Sequence, residues 1–190
     1  MKLHKTFKQD IHLTCMEEIL KIDLQGFKAT YNAKWSEEED VCNLNNVKQV
    51  NGVLFNGDGE ILIVNVVGNW QLPGGHLEVE ESYEDGLRRG IYEEADVEIE
   101  NLTVIGNLRV AEIKEGIVKP KIVQVYYFGK ITKLNPQTID PAHNKIAERK
   151  FIKPEEFTNY VPWGNVGREI IASARKVFLK EKKRRSLSRQ

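Results

Sequence analysis

Short apolar runs separated by turn-forming residues occupy the middle of the chain, a pattern typical of buried strands. Residues 47–55 and 61–67 form two such runs around Asn56-Gly57-Asp58-Gly59, so they are predicted to pair as a hairpin. Further strands are predicted at residues 70–72, 97–110, 121–131 and 151–152.

The spacing of apolar residues changes to a helical period in two places. Tyr83, Leu87 and Ile91 recur every four residues and predict a helix over residues 82–94. A second apolar stripe predicts a helix over residues 165–180. Two helices covering a mixed sheet make an α+β or α/β sandwich.

The two ends of the chain are less regular than its middle. Thr14 and Glu17 would cap a helix, whereas the alternation of Ile11, Leu13 and Cys15 favours a strand, and both readings stay open. The predicted division is an N-terminal extension of uncertain form at 1–45, one domain at 46–180 and a basic, flexible tail at 181–190.

Composition excludes several classes of protein. The 28 basic residues balance 28 acidic ones, so no net charge favours nucleic acid or a membrane surface as a partner. No window approaches the roughly 20 apolar residues that cross a bilayer. Cys15 and Cys42 lack metal-ligand spacing, and so few cysteines favour a reducing compartment. A cytoplasmic location is predicted.

Candidate chemistry is concentrated on the first predicted helix. Gly74-Gly75 precedes this helix, and Glu93-Glu94 lies at its end. Mg²⁺ prefers oxygen ligands and usually keeps water and substrate phosphates among them. A glycine pair lets a main-chain carbonyl approach the same ion without side-chain obstruction. The combination suits phosphate chemistry, although acidic helix ends are common on solvated faces.

The spacing of these residues is more specific than their composition. Residues 75–97 resemble the Nudix box, G-x5-E-x7-R-E-U-x-E-E-x-G-U, in which U is aliphatic. Gly90 replaces a glutamate of this pattern and Asp96 replaces a glycine. The matching residues are Gly75, Glu81, Arg89, Ile91, Glu93, Glu94 and Val97. The resemblance to the Nudix hydrolase family extends over roughly residues 47–178 and implies an α/β/α sandwich with a mixed sheet.

The resemblance also implies a site and a reaction. A Mg²⁺ or Mn²⁺ ion is expected at the main chain of Gly74 and the carboxylates of Glu93 and Glu94. Glu81 and Arg89 complete the expected catalytic set, with the arginine orienting carboxylates. The expected reaction is hydrolysis of a nucleoside diphosphate linked to another group. A small-molecule nucleotide is therefore the expected partner, and a homodimer is left open.

The departures from the box leave two alternatives open. Some family members that act on GDP-sugars also lack the glutamate at the position of Gly90 and use a loop histidine as base, which His143 resembles. The other alternative is a nucleotide-binding module with little turnover. If Gly90 is merely a lost ligand, Gly90→Glu should increase hydrolysis or second-metal binding with little harm to folding.

Residues 134–145, which contain two prolines, are predicted to form a long loop near the site. Some family members place a late glutamate where this chain has Lys145, and Asp140, His143 or Glu148 could substitute for it. His143 and Trp70 are the candidate substrate-binding residues, with a surface histidine and core packing as the structural alternatives.

Overall fold

The computed structural model describes residues 15–24, 27–37, 40–65, 68–120, 122–141 and 143–188. Thr14 and the last two residues of the predicted 61–67 strand lie outside the described residues.

Within these ranges the chain forms ten strands and three α-helices. The strands are β1 (Cys15–Leu24), β2 (Phe27–Ser36), β3 (Val47–Phe55), β4 (Ile61–Asn65), β5 (Trp70–Gln71), β6 (Gly74–His76), β7 (Val97–Lys114), β8 (Ile117–Val118), β9 (Ile122–Leu134) and β10 (Glu148–Ile152). The helices are α1 (Tyr83–Ala95), α2 (Phe157–Tyr160) and α3 (Gly164–Leu187).

The strands form one mixed sheet in the order β1-β2-β7-β9-β3-β4-β10, with β5, β6 and β8 attached to β4, β3 and β7. Strands β3 and β9 are parallel, and the other pairs are antiparallel. The predicted β3–β4 hairpin is confirmed by the pairing of Phe55 with Ile61. Its turn is closed by the Asn56 side chain, which accepts hydrogen bonds from the Asp58 and Glu60 amides.

Successive side chains of a strand point to opposite faces of the sheet, and a helix covers each face. Val53 and Phe55 of β3 lie in the cluster that contains α3 residues, whereas Leu54 lies in the cluster that contains α1 residues. The helix residues in these clusters are Val166, Ile170, Ile171 and Ala174 of α3, and Leu87, Ile91 and Ala95 of α1. The predicted α/β/α sandwich is confirmed.

The N-terminal segment extends this sheet. Strands β1 and β2 form an antiparallel hairpin, and β2 pairs with β7. The helical alternative, which extended through Leu20, is therefore wrong, because the backbone of β1 is hydrogen-bonded to β2 instead of within a helix. Glu18 of β1 accepts hydrogen bonds from the Asn165 and Val166 amides at the start of α3. The domain division at residue 45 stays a prediction.

Helix α3 continues beyond its predicted end. Residues 181–187, assigned to a flexible tail, are helical as far as Leu187. Lys, Arg and Glu are strong helix formers, and Arg184 and Arg185 lie in the last turn, where cations complement the helix dipole. Although α3 has 24 residues, no helix among the described residues is both long and apolar enough to cross a membrane.

Candidate functional site

Strand β6 holds the glycine pair against α1. Gly74 and Gly75 pair with Asn51 and Val50 of β3. The predicted helix over 82–94 is confirmed as α1, and its N-cap is Ser82, whose hydroxyl accepts a hydrogen bond from the amide three residues later at 3.2 Å. The Gly74 amide lies 3.0 Å from a Glu94 carboxylate oxygen, so the glycine strand and the acidic helix are neighbours.

Arg89 joins the acidic residues of the helix to the loop that precedes it. Its guanidinium donates two hydrogen bonds to Glu81, both at 2.8 Å, one to Glu93 at 3.0 Å and one to the His76 carbonyl at 2.8 Å. The hydrogen bonds from Arg89, followed by the one from the Glu78 amide, lower the pKa of Glu81 to about 2. Glu81 is therefore a weak base that positions this loop.

Glu94 lies in a different environment from its neighbour Glu93. Its carboxylate accepts a hydrogen bond from the Gly74 amide at 3.0 Å and one from the Gln71 side chain at 3.3 Å. Burial raises the pKa of Glu94 to about 7, with a smaller increase from the negative charge of Asp140. Gln71 was not singled out by the sequence, because no pattern along the chain predicts this contact.

Two described residues of the predicted 134–145 loop approach the same site. Asp140 and His143 lie close enough to Glu94 to change its pKa in opposite directions. His143 Nδ1 lies 2.9 Å from Asp140 Oδ2, and Asp140 is only 1% exposed. Of the three candidate substitutes for the late glutamate, Asp140 and His143 therefore lie near Glu94, whereas Glu148 is exposed and does not affect the pKa of Glu94.

Asp96, at the second departure from the box, attaches this loop to the end of α1. It adopts the left-handed conformation, with φ 48°, which aspartate tolerates better than most residues. Its carboxylate is 2% exposed and accepts hydrogen bonds from the Thr138 amide and hydroxyl, both at 2.8 Å. Arg149 adds bonds to the Ala95 and Asn135 carbonyls at 2.7 and 3.1 Å. In the sequence, Asp96 is only a residue that differs from the glycine of the Nudix box.

We expect Asp96→Gly to loosen the loop without unfolding the protein, because glycine adopts the same backbone conformation but removes both hydrogen bonds. Amide hydrogen exchange at Thr138 should accelerate by at least about tenfold, as loss of charge-assisted hydrogen bonds implies. Asp96→Asn, which keeps one acceptor oxygen, should give an intermediate rate. Equal exchange rates in all three proteins would show that the Asp96 carboxylate does not hold the loop at Thr138.

Gly90, the first departure from the box, lies against the backbone of the glycine strand. A Cβ atom at this position would stand 2.4 Å from the Gly74 carbonyl oxygen and 2.8 Å from the Gly75 nitrogen. The expectation that Gly90→Glu leaves folding almost unharmed is therefore wrong. Helix propensity and residue spacing both favour a glutamate at this position, but its Cβ would clash with the backbone of Gly74 and Gly75.

The two predicted carboxylate ligands of the metal have different hydrogen-bond partners. Glu93 is hydrogen-bonded to Arg89, whereas Glu94 is hydrogen-bonded to the Gly74 amide. In the part of the chain that the structure describes, no three His, Cys, Asp or Glu residues are grouped to hold a metal ion. The ligand set of Gly74, Glu93 and Glu94 stays a prediction.

Trp70 contacts other side chains on the sheet. Its ring lies 6.0 Å from that of Tyr160, and the Lys150 ammonium group lies 5.2 Å from its centre. The next residue, Gln71, contacts Glu94, and neighbouring strand residues point to opposite faces. The role of Trp70 in substrate binding stays a prediction.

Comparisons with known proteins agree with this fold and motif. A family model described as NUDIX domain matches residues 46–173. Over 53 residues the chain is 40% identical to a MutT-like protein of Streptomyces ambofaciens; this stretch is 27% of the chain and 34% of the relative, so only about a third of that protein is matched.

Two crystal structures resemble the chain at lower identity. A mutant form of a pyrophosphohydrolase from Bacillus subtilis is 24% identical, with a TM-score of 0.52 over 64% of this chain and 72% of that one. The Ap4A hydrolase of C. elegans is 20% identical, with a TM-score of 0.48 over 71% of this chain and 99% of that one. The first similarity shows a shared fold.

Proposed function

The chain belongs to the Nudix domain family, and on this premise we propose that it is a hydrolase that acts on a nucleoside diphosphate linked to another group. One divalent cation, Mg²⁺ or Mn²⁺, assists the reaction. The small-molecule nucleotide partner is part of this proposal. The cytoplasmic location and the homodimer stay predictions.

The observation that carries this proposal is the environment of Glu94. Its partly buried carboxylate has two neutral hydrogen-bond donors, and the nearby Asp140 adds negative charge. A cation would offset the cost of burying this charge, so the residues fit one ion held by Glu94 and the Gly74 carbonyl. Such an ion would neutralise phosphate charge and activate water.

The close approach of Gly90 supports one ion rather than several. The backbone of Gly74 and Gly75 occupies the space into which a side chain at position 90 would project. Glu93, the other predicted ligand, shares its carboxylate with Arg89. Glu94 would therefore be the principal protein carboxylate that holds the ion, and Mg²⁺ usually keeps water and substrate phosphates among its ligands.

His143 is the proposed general base. Its Nδ1 lies 2.9 Å from Asp140 Oδ2, so Asp140 would favour the tautomer with the proton on Nδ1, in which Nε2 is left to accept a proton from water. Glu81 is a poor alternative, because Arg89 holds its pKa at about 2. Arg89 has a positioning role, since it fixes Glu81, Glu93 and the His76 carbonyl relative to one another.

The same histidine favours one alternative reaction. A base held by Asp140 beside Glu94 could direct water to a sugar carbon rather than to phosphorus. This is the reaction of a GDP-sugar-type glycosyl hydrolase, which would break the bond between the sugar carbon and the phosphate oxygen. The nucleotide-binding module differs from both reactions, because it would release neither product.

Isotope labelling separates these three functions. Dinucleotides, nucleoside diphosphate sugars and nucleoside triphosphates are incubated in ¹⁸O water with Mg²⁺ or Mn²⁺, and the products are examined by mass spectrometry. Hydrolysis at phosphorus places ¹⁸O in a phosphate product. Label in the released sugar would show that the protein is a glycosyl hydrolase instead. If no compound of the panel is hydrolysed, the protein is a nucleotide-binding module.

We expect His143→Gln to lower kcat by about a hundredfold, the smaller end of the usual contribution of a general base. Nucleotide affinity and the melting temperature should change little, because His143 is a partly exposed loop residue. His76→Gln is the matched control, since His76 is exposed and contacts Arg89 through its carbonyl only. A kcat equal to that of the control would exclude His143 as the base.

A further inference from the structure

Strand β1 forms one edge of the sheet. Among the described strands it pairs with β2 alone, and its register from Cys15–Ser36 to Leu24–Phe27 has no bulge. Every second residue of an antiparallel strand directs its N–H and C=O groups away from the partner strand, so the outer side of β1 offers a row of hydrogen-bonding groups. A long edge of this kind favours pairing with a further strand unless prolines or bulges interrupt it, and β1 contains neither.

The two faces of β1 have different surroundings. Met16 and Leu20 pack in the cluster that contains α3 residues. Because side chains alternate along a strand, Glu17, Ile19 and Lys21 point to the opposite face. No described residue of β1 or β2 belongs to the cluster that contains α1 residues, so α1 does not cover this face. Ile19 is 51% exposed there, between an acidic and a basic residue.

The residues on the open face of β1 are complementary to themselves in an antiparallel pair of two copies. If a two-fold axis passes through Ile19, the residue two positions before it faces the residue two positions after it in the other copy. Ile19 then faces Ile19, and Glu17 faces Lys21 on both sides of the axis. Opposite charges on directly facing residues of neighbouring strands stabilise their pairing. The edge of β1 therefore fits a second copy of itself.

Other positions of the two-fold axis are less favourable. An axis one residue closer to the N-terminus places Glu18 opposite Glu18, although each carboxylate already accepts hydrogen bonds from the first amides of α3. An axis one residue closer to the C-terminus places Lys21 opposite Ile19 and leaves Glu17 without its basic partner. An axis through Glu17 or Lys21 places like charges opposite one another, which destabilises strand pairing. Charge therefore selects the axis at Ile19.

The edge strand is held in place within one copy. Glu18 accepts hydrogen bonds from the Asn165 and Val166 amides at 2.9 and 3.1 Å, which fixes β1 to the start of α3. Leu20 is only 8% exposed, and β2 is paired with β7 along seven residue pairs. Little ordering of β1 is therefore required when a further strand binds to it.

We propose that the chain forms a two-fold dimer in which the β1 strands of two copies pair antiparallel about Ile19. The mixed sheet then continues from one copy into the other, and the contacts occur in equivalent pairs. The β1–β2 hairpin precedes residues 46–173, which match the family model, so this interface lies outside that part of the chain. Dimerisation through β1 does not depend on hydrolytic activity.

Charge reversal tests the pairing by sedimentation velocity over a range of protein concentrations. Glu17→Lys and Lys21→Glu each place like charges opposite one another on both sides of the axis, and each should weaken the dimer at least about tenfold. Lys180→Glu is the control, because it makes the same charge change at an exposed position of α3 and should leave the dimer unchanged. Thermal melting establishes that each variant is folded.

A mixture of the two variants separates contacts between copies from contacts within one copy. When Glu17→Lys and Lys21→Glu are mixed, every lysine faces a glutamate across the axis, so a heterodimer should form with an affinity close to that of the parent dimer. The two positions are roughly 13 Å apart along one strand, so they do not contact each other within a copy. A monomeric parent, a dimer that persists in both single variants, or a mixture without heterodimer would overturn the proposal.

Disulfide crosslinking tests the position of the axis, after the free cysteines are removed by Cys15→Ser and Cys42→Ser. Ile19→Cys should crosslink on oxidation, because facing Cα atoms of antiparallel strands are about 4.5–5.5 Å apart, within the range of a disulfide. Glu17→Cys is the matched control, since its two copies would be displaced by roughly 13 Å along the strands. Both are oxidised at a concentration at which they are dimeric. Equal crosslinking of the two variants, or none in Ile19→Cys, would overturn the proposal.

Discussion

Replacing Glu94 with Gln should abolish high-affinity binding of Mg²⁺ or Mn²⁺ and make the metal-free protein more stable at pH 8. Burial raises the pKa of this carboxyl group from 4.5 to about 7, so ionised Glu94 destabilises the folded state. At 1.36 kcal/mol per pKa unit, the cost approaches about 3 kcal/mol at pH 8. A glutamine removes this cost together with the charge that binds the cation.

The sign of the pH dependence follows from the direction of the shift. Between pH 4.5 and 7 the folded state binds more protons at Glu94 than the unfolded state, so stability falls as pH rises. Below this window the carboxyl group is protonated in both states, and the variant should have the same stability as the parent. Protons also compete with the metal, so metal affinity in the parent should fall as pH drops below about 7.

Metal titration by calorimetry and thermal melting with EDTA at pH 5 and pH 8 measure both effects. Glu84→Gln is the matched control, because Glu84 is exposed at the other end of α1. Loss of metal binding together with higher stability would identify Glu94 as a residue kept for function. An unchanged metal titration in Glu94→Gln would show that the ion binds elsewhere.

The parts of the fold that sequence predicted are those with a strong local pattern. Helix α1 follows from the four-residue spacing of Tyr83, Leu87 and Ile91, and these residues do face the sheet. The β3–β4 hairpin follows from the turn residues between two apolar runs. In both cases the residues that specify the element lie within the element or directly beside it.

The parts that sequence missed depend on contacts between distant segments. The N-terminal hairpin joins the sheet through the pairing of β2 with β7, about 75 residues later in the chain. The role of Asp96 depends on Thr138, and the environment of Glu94 depends on the fold of the loop that carries Asp140. A motif aligns residues by spacing, so it identifies candidate carboxylates without showing which of them are buried or already hydrogen-bonded.

The second large effect is expected at Gly90. Gly90→Ala should destabilise the protein by about 3 kcal/mol, because overpacking a rigid backbone contact costs about 1–3 kcal/mol or more. The new Cβ would stand 2.4 Å from the Gly74 carbonyl oxygen, and neither segment can rotate away as a side chain would. This cost exceeds the gain in helix propensity, which is about 1 kcal/mol.

Gly86→Ala is the matched control for this substitution, since it places the same methyl group in the same helix. Its Cβ would meet the Leu77 and Glu81 side-chain ends at 2.7 and 2.8 Å, and side chains shift at a lower cost than backbone, even though Arg89 holds the Glu81 carboxylate. Urea unfolding should therefore show a smaller loss of stability for Gly86→Ala than for Gly90→Ala. Equal losses would indicate that the backbone contact at Gly90 is not the cause.

Gly90→Glu extends the same argument to the metal. The added carboxylate cannot reach the site without displacing the strand of Gly74, whose carbonyl is itself a proposed ligand. The variant should therefore be as unstable as Gly90→Ala and should bind no second ion in a Mn²⁺ titration. If it is instead as stable as the parent and binds two ions, the helix and the glycine strand separate readily. In that case the protein has room for a metal-binding glutamate at position 90, and Gly90 is merely a lost ligand.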